Sequence, residues 1–277
     1  MRCTVSALHV YPVKSCRGIS PGRVTLTPHG VALDGVRDRE WMIVDTHGRF
    51  VTQRELPRLA TIDVRATDAG IALCVPGGDP VVPVASEAAV DVTVWHASVR
   101  GCDGGDAAAS ALSDYLGRKL RLVRFDDTKP RLVNPDYAGT TGATTLYADG
   151  YPVLVTGEAS LDDLNTRLDS RGIAGVPMDR FRPNVVVDGL DAFDEDHVDT
   201  LAIGDVVLKL VKPCTRCEIT TTDQRTGRRS DEPLRTLASY RHDDRLAGIR
   251  FGMNAIVLRG EGSSIGVGDA VEATFRF

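Results

Sequence analysis

The sequence predicts a mainly β fold with appended helices, of the α+β class. Short runs of β-branched residues, separated by glycine, proline and aspartate, recur throughout the 277 residues. Only three segments have the spacing of a helix, which is too few for a doubly wound α/β sheet. Closely spaced short strands are instead typical of β-barrels. We therefore expect β-rich barrels to which a few helices are added.

The predicted strands rest on alternating side chains and on the turn residues between them. Runs with this pattern lie at residues 1–11, 42–44, 50–52, 90–95, 184–187, 201–208 and 265–271. Asp45 and Gly48 supply the turn of a hairpin between residues 42–44 and 50–52. Each of the last two runs contains a central Gly-Asp pair, and therefore predicts two strands joined by a tight turn.

Three segments predict helices, at residues 107–116, 157–167 and 234–242. Asp106 is expected to cap the first helix and Gly117 to end it. Leu161, Leu164 and Leu168 have helical spacing along the second, so one face of that helix should be buried. The turn-rich run at residues 101–106 predicts a boundary between two domains, residues 1–120 and 121–277, that pack against each other.

Composition excludes several classes of protein. Hydrophobic residues at 42% and charged residues at 26% are ordinary proportions for a globular chain. The net charge of −5 argues against nucleic acid or an anionic membrane as the main partner. The N-terminus lacks a signal peptide, and no apolar run is long enough to span a membrane. We therefore expect a cytoplasmic protein whose six cysteines are free thiols.

The most informative run is residues 212–222, in which Arg216 separates Cys214 from Cys217. A neighbouring guanidinium favours a thiolate, which is the form of cysteine that binds metals and attacks electrophiles. A structural zinc site would need a second Cys or His pair, which the sequence lacks. A redox disulfide would normally open a helix, whereas the β-branched residues 219–222 favour extended chain. An inert buried pair and a reactive thiolate both remain open.

Basic residues recur in three other places. Lys14 and Ser15 follow a predicted strand, where a lysine and a hydroxyl can hold phosphate, although this motif taken alone favours a solvated turn. Alternation along an extended chain would place Arg37 and Arg39 on one face of the strand. The two guanidiniums could then bind an anion, or they could be the charges of an exposed strand edge. Hydrolase, nucleotide and zincin motifs are absent from the sequence.

The third basic place is the start of the strand at residues 184–187. Arg182 suits bidentate binding of phosphate, and Asn184 can read the edge of a heterocycle or bond its own backbone. One thiolate candidate and several anion grips therefore remain. This set of groups suits a phosphorylated, metal-bearing organic cofactor.

Five motifs together resemble those of a known family. They are residues 11–18, 38–41, 158–161, 181–184 and 214–217. In this order they resemble the MOSC proteins (molybdenum cofactor sulfurase C-terminal domain), in the branch of the amidoxime-reducing components and their bacterial relatives. The resemblance implies a β-rich N-terminal domain packed on a MOSC β-barrel domain.

The resemblance also implies the cofactor, which would be molybdenum bound to molybdopterin. Cys217 matches the family's thiolate ligand of the metal, and a soft thiolate suits such a centre. Asp149 matches, less closely, an acidic residue near the metal and would be catalytic with Cys217. The positions that match cofactor-binding residues are Lys14, Ser15, Arg39, Arg182, Asn184, Thr215 and Arg216. Cys214 is expected to be a structural bystander.

By the same resemblance, the protein would be a two-electron reductase of small N-oxygenated compounds such as amidoximes, hydroxylamines and N-hydroxylated bases. Cysteine spacing typical of a fused iron–sulfur domain is absent, so electrons would come from a separate flavin, haem or iron–sulfur protein. One alternative is a cofactor carrier or a sulfur-transfer protein with a persulfide on Cys217. A third hypothesis is a non-catalytic binding protein for an anionic metabolite.

Overall fold

This computed structural model describes residues 3–276, which contain twenty strands and four α-helices. The strands are β1 Cys3–Leu8, β2 Arg23–Thr27, β3 Gly30–Leu33, β4 Val36–Arg37, β5 Trp41–Val44, β6 Asp63–Thr67, β7 Gly70–Cys74, β8 Ala89–Val94, β9 Ala97–Asp103, β10 Arg121–Phe125, β11 Arg131–Leu132, β12 Thr144–Thr145, β13 Val153–Gly157, β14 Val185–Asp188, β15 Val198–Ile203, β16 Val206–Arg216, β17 His242–Asp243, β18 Gly248–Arg259, β19 Ser264–Gly266 and β20 Ala270–Phe275. The helices are α1 Asp106–Leu116, α2 Pro135–Ala138, α3 Glu158–Asp169 and α4 Leu234–Ala238. The mainly β prediction is confirmed.

Seven strands close into a barrel in the order β13, β14, β1, β20, β15, β16 and β18, and β18 pairs back with β13. The neighbours β13 and β14 are parallel, whereas the other pairs are antiparallel. Alternation along β16 buries Val206, Leu208 and Leu210 in the barrel core, together with Val187 and Met253. Burial of these apolar side chains is the main term that stabilises the barrel.

A second core lies in the N-terminal half. Strands β5, β10, β9 and β8 form a four-stranded antiparallel sheet, and the hairpin of β6 and β7 lies near it. Leu112 and Leu116 of α1 pack with Ile43 and Leu122 from the sheet. A third sheet, in the order β19, β2, β3 and β4, adds Val24, Leu26 and Val31 to the barrel core.

The division in space differs from the predicted division in sequence for several strands. β1, in the predicted first domain, lies in the barrel between β14 and β20. β10, in the predicted second domain, pairs with β5 and β9 of the N-terminal sheet. β19, also in the predicted second domain, pairs with β2 of the first. Strands therefore cross the predicted boundary in both directions, and the boundary at residue 120 stays a prediction.

Several local predictions are confirmed. A bridge between Val44 and Phe50 closes the predicted hairpin around Asp45. Residues 204 and 205 join β15 to β16 as a tight turn. Gly117 ends α1 in the left-handed conformation, at φ 69°. None of the helices in residues 3–276 is long and apolar enough to cross a lipid bilayer.

Other local predictions are wrong. Asp106 lies inside the first turn of α1 and Gly105 occupies the cap position, without a side-chain hydrogen bond. The third helix ends at Ala238 instead of residue 242. Residues 265–271 do not form a hairpin, because β19 pairs with β2 and β20 pairs with β1. There, the side chain of Asp269 accepts a hydrogen bond from the Gly266 amide and turns the chain from one sheet to the next.

The run after Cys217 is also not extended. Glu218–Thr221 forms a short 3₁₀ helix, with Cys217 at its cap position. The hydroxyls of Thr220 and Thr221 donate to the carbonyls of Cys217 and Glu218, at 3.0 and 2.7 Å. These local bonds replace the strand that the β-branched side chains favoured.

Candidate functional site

One cleft collects every residue that the sequence singled out as a site residue. It opens to solvent where one end of the barrel meets the N-terminal sheet. The predicted residues that line it are Lys14, Ser15, Arg39, Asp149, Arg182, Asn184, Thr215, Arg216 and Cys217. The structure therefore brings these nine residues together, and their roles in binding a cofactor stay predictions.

The barrel topology explains why these distant segments meet. β13 and β14 are parallel, so residues 149–152 and 181–184, which precede them, lie at the same end of the barrel. β1 is antiparallel to β14, and its C-terminal residue Leu8 pairs with Val185 at that end. The last residues of β16 pair with β18 through an irregularity between Pro213 and Thr215. Irregular pairing of this kind re-aims side chains and recurs beside active sites.

Three non-glycine residues with a strained backbone line the cleft. Ser15, Arg39 and Arg182 have positive φ angles of 69°, 48° and 56°, which non-glycine residues rarely adopt. Each such residue costs about 1–3 kcal/mol and persists only where its surroundings enforce it. Three strained residues lining one cleft indicate that the orientation of their side chains matters for function.

Arg39 is held by a network of buried side chains. Its Nη1 atom donates to Asp38 at 2.5 Å and to Oδ1 of Asn184 at 3.2 Å. Desolvation disfavours the charged guanidinium, but the ion pair with Asp38 outweighs it and raises the pKa of Arg39. The ring of Tyr11 lies 4.4 Å from Arg39 and 4.2 Å from Arg182. This ring therefore separates two like charges while contacting both.

Asn184 positions other residues instead of presenting its amide to the cleft. Its Oδ1 atom also accepts from the Leu154 amide, at 3.0 Å. Its Nδ2 atom donates to the His9 carbonyl at 3.2 Å and to Asp38 at 3.0 Å. All four hydrogen-bonding positions of the amide are thereby used within the protein. The suggestion that Asn184 reads the edge of a heterocycle does not fit this geometry.

Lys14 and Asp149 form an ion pair at the mouth of the cleft, with Nζ and Oδ1 2.5 Å apart. Trp95 donates its indole N–H to the same oxygen at 3.0 Å. Desolvation opposes ionisation of Asp149. The charge and the hydrogen bond of Lys14, together with the hydrogen bond from Trp95, outweigh this desolvation and lower the pKa of Asp149. Asp149 is therefore a carboxylate at neutral pH, and can accept but not donate a hydrogen bond.

Arg182 lies deeper, at 8% exposure. Its Nη1 atom donates to the Cys16 carbonyl at 2.7 Å and to Oε1 of Gln224 at 3.4 Å. Within residues 3–276, its Nη2 atom is buried without a hydrogen-bond partner. Burial lowers the pKa of Arg182 to about 10, so the side chain remains charged at neutral pH.

The guanidinium in the cysteine loop contacts the thiol that was expected to be a bystander. Nη1 of Arg216 lies 2.8 Å from Sγ of Cys214, and Nη2 donates to the Phe181 carbonyl at 2.6 Å. Cys214 and Cys217 both line the cleft and are both half-buried. Arg216 is therefore the direct neighbour of Cys214. The expectation that Cys214 is a structural bystander is corrected by this contact.

The pair of arginines predicted to share one face diverges. Arg37 bonds Glu40 at 3.0 Å and Asp127 at 2.8 Å and does not line the cleft. The positive φ of Arg39 breaks the alternation on which that prediction relied. The cleft residues that sequence reasoning missed are Thr52, Ala148, Leu154, Ile219 and Asn254. Their only signal was adjacency to the motifs, which Thr52 and Asn254 lack.

Comparison with known proteins decides the family. A model of the MOSC N-terminal beta barrel domain matches residues 2–119, and a model of the MOSC domain matches residues 143–272. The chain belongs to the MOSC family. The match covers both halves of the molecule, so the motif resemblance is confirmed as an end-to-end relationship.

Named relatives place this MOSC protein more closely. Mitochondrial amidoxime reducing component 2 of Rattus norvegicus is 39% identical over 248 residues, which cover 86% of this chain and 72% of the relative. Mitochondrial amidoxime-reducing component 1 of Homo sapiens is 36% identical over 255 residues, covering 87% and 73%. The YUAD protein structure from Bacillus subtilis covers 100% of this chain and 98% of its own, at 11% identity and TM-score 0.43, which is too weak to support an argument.

The lining of the cleft can be compared with the molybdenum cofactor that the MOSC family implies. Lys14, Arg39, Arg182 and Arg216 line it against one lining carboxylate, Asp149, so an anionic group such as a phosphate is favoured. The buried Nε atom of Arg216 lacks a partner within residues 3–276. Cysteine thiolates are soft ligands of the kind that molybdenum accepts. These residues fit the cofactor.

Proposed function

We propose that this protein is a molybdenum-cofactor-dependent reductase of small N-oxygenated compounds, such as amidoximes and hydroxylamines. The observation that carries the proposal is the convergence of four cations, one carboxylate and the Cys214–Cys217 loop on a single cleft. Two relatives named as amidoxime-reducing components support the substrate class. When bound, the cofactor supplies the two-electron redox chemistry.

The cations would hold the anionic part of the cofactor. Arg39 and Arg182 are fixed by strained backbones and by the Tyr11 ring, so little conformational entropy is lost when they bind a ligand. Lys14 is 6% exposed and adds a point charge at the mouth of the cleft. Ser15 and Thr215 would add hydroxyl or backbone contacts.

Cys217 would supply the protein ligand of the metal. It is half-buried at the cap position of the 3₁₀ helix, directly after β16. The cap position fixes the backbone of Cys217, so its sulfur has a defined place in the lining of the cleft. Arg216 holds Cys214 through its guanidinium, which leaves Cys217 as the thiol without that contact.

Asp149 would orient the substrate. As a carboxylate it accepts a hydrogen bond, and the N–H and O–H groups of an amidoxime are donors of that kind. Its side chain is 62% exposed, so a substrate entering from solvent can reach it. Lys14 and Trp95 hold the carboxylate in place, and the water that leaves as product can depart through the open side of the cleft.

Electrons would come from a separate donor protein, of the flavin, haem or iron–sulfur type. The cleft opens to solvent beside Asp149, and a small substrate can enter there. Trp95, at 40% exposure, forms part of the same rim. A donor protein that docks over this rim would approach the cofactor.

Purification from a host that makes molybdopterin tests the proposal. We expect about one molybdenum per chain and reduction of benzamidoxime with a chemical reductant. A well-loaded host that yields protein without molybdenum would overturn the proposal. Metal without reduction of any N-hydroxylated compound would favour the alternative, a carrier of the cofactor or of sulfur.

The ligand assignment has a matched pair of variants. Cys217→Ser should lose molybdenum and activity, because a serine hydroxyl is a hard and weak ligand. Cys214→Ser should retain both, because its hydroxyl still accepts a hydrogen bond from Arg216. The opposite pattern would assign the metal to Cys214.

A further inference from the structure

A second cavity shares only Arg182 with the cofactor cleft. It lies between the segment after β1 and the loop that follows the 3₁₀ helix at Glu218–Thr221. The residues around it that carry its chemistry are His9, Tyr11, Arg17, Asp179, Arg182 and Arg225. The reductase proposal assigns no task to this cavity.

Four residues around the cavity each leave one buried polar atom without a partner in the described part of the chain. These atoms are Nε2 of His9, the hydroxyl of Tyr11, Oδ1 of Asp179 and Nη2 of Arg182. Proteins rarely leave such atoms unpaired, because burial without a hydrogen bond is costly. Four of them around one cavity indicate that a polar ligand or ordered water satisfies them.

The charges around the cavity favour an anion. Arg17, Arg182 and Arg225 stand against one carboxylate, Asp179. Within residues 3–276, the guanidinium of Arg17 donates to the Gln224 carbonyl alone, at 3.2 Å, and that of Arg182 donates to a carbonyl and an amide oxygen. Arginine recognises oxyanions through paired N–H donors, so the donors that remain can bind several oxygen atoms of one ligand.

Asp179 narrows the choice of anion. Its free Oδ1 atom can accept a hydrogen bond, so the ligand should also carry a donor. Hydrogenphosphate has both oxyanion atoms and a hydroxyl at neutral pH, whereas sulfate has no proton to donate. We propose that this cavity is a binding site for inorganic phosphate, held by its three arginines through the oxyanion and by Asp179 through the hydroxyl.

A bound phosphate would affect the neighbouring cleft through Arg182. Nη1 of Arg182 is fixed by the Cys16 carbonyl, and the phosphate would fix Nη2. Binding would thereby lock the guanidinium that lines both cavities. Phosphate at this site is expected to slow loss of the cofactor from the cleft.

Calorimetric titration of inorganic phosphate into cofactor-loaded, full-length protein at pH 7 tests the site. We expect phosphate to bind, and Arg225→Ala, at the exposed rim, to weaken it about ten-fold, as expected for a charge-assisted contact. Arg65→Ala, whose side chain is 64% exposed on β6, is the control and should change nothing. Asp179→Asn should abolish the preference for phosphate over sulfate.

A crystal of the same protein soaked in arsenate locates the anion by its anomalous signal. Arsenate beside Arg182 and Asp179 supports the site. Ordered waters alone in the cavity, arsenate only in the cleft, or a group of the cofactor itself in the cavity would each overturn it. So would equal binding by Arg225→Ala and wild type. Molybdenum content and benzamidoxime reduction are measured on wild-type protein without added phosphate, so the proposed function stands or falls in a separate experiment.

Discussion

Lys14 Nζ and Asp149 Oδ1 lie 2.5 Å apart and join the N-terminal loop to the segment that enters the barrel. The two residues are 135 positions apart in sequence. Lys14 is buried and its ammonium also donates to the Tyr147 carbonyl at 2.8 Å. Desolvation lowers the pKa of Lys14, and Asp149 opposes that effect. This pair therefore links the stability of the fold to the charge of the cleft.

Asp149→Asn removes the charge and keeps the volume. The buried ammonium of Lys14 then loses its carboxylate, and we expect the free energy of unfolding to fall by about 1–3 kcal/mol, less than for a fully buried pair. Urea denaturation at pH 7 measures the loss. Asp127→Asn is the control, because Asp127 is 55% exposed and pairs with Arg37 outside the cleft. Equal losses in the two variants would show that burial of Lys14 does not matter.

Much of this site could be predicted because its residues stand in short ordered motifs. Each motif is ambiguous alone, and the resemblance to one family assigns them to a common site. The residues concerned are Lys14, Arg39, Arg182 and Cys217. The fold class was predictable for a similar reason, since turn residues and alternation are local properties. The barrel was predicted by the resemblance, but its membership was not, because pairing of β1 with β14 and β20 depends on contacts across the whole chain.

What sequence could not supply is the direction of individual side chains. The positive φ of Arg39 sends it away from Arg37, and no residue type signals that conformation. The extended chain expected after Cys217 gave way to threonine hydroxyls that bond their own backbone. Asn184 looked like a ligand contact, but tertiary neighbours use all of its hydrogen bonds.

Gln53 and Gln224 form a reciprocal amide pair between the two halves of the chain, at 2.9 and 3.0 Å. Gln53→Leu and Gln224→Leu should each destabilise by about 1–3 kcal/mol, because each leaves a buried amide partly unpaired. The double variant should lose less than the sum of the single losses, because it removes both partners. A double-mutant cycle in urea measures this, and additive losses would contradict the pairing.

Asn184→Ala should lower cofactor retention as well as stability. The change removes an acceptor from Arg39 and leaves the Leu154 amide unpaired, so we expect a loss of about 2 kcal/mol and several-fold less molybdenum per folded chain. Asn165→Ala is the matched control, because Asn165 makes two backbone hydrogen bonds to Val176 outside the cleft. It should lose stability without losing molybdenum. Equal metal losses would make Asn184 a general structural residue.

His9 should make stability depend on pH between about 4 and 6.5. Burial, with a contribution from Arg39, lowers the pKa of His9 from 6.5 to about 4. The unfolded chain therefore binds more protons in this window, so stability rises with pH and is lost as pH falls, by at most about 3 kcal/mol. His9→Gln should flatten the slope, measured by urea denaturation from pH 4 to 7. His47→Gln, in an exposed turn, should keep it.

Cys214 should act through Arg216 instead of through the metal. Its sulfur lies 2.8 Å from Nη1 of Arg216, and Phe181 accepts from the other nitrogen. Cys214→Ala removes one of these two acceptors, so we expect Arg216 to become mobile and molybdenum content and activity to fall about three- to ten-fold, as for loss of one ordinary hydrogen bond, because sulfur is a weak acceptor.

Cys214→Ser separates this role from that of a metal ligand, because a hydroxyl can accept from Arg216 but is a poor ligand for molybdenum. Metal content and benzamidoxime reduction should therefore be close to wild type in Cys214→Ser and low in Cys214→Ala. If serine and alanine behave alike at position 214, the hydrogen bond from Arg216 is not what the sulfur contributes. A loss in both would point to a ligand, and no loss in either would return Cys214 to the role of bystander.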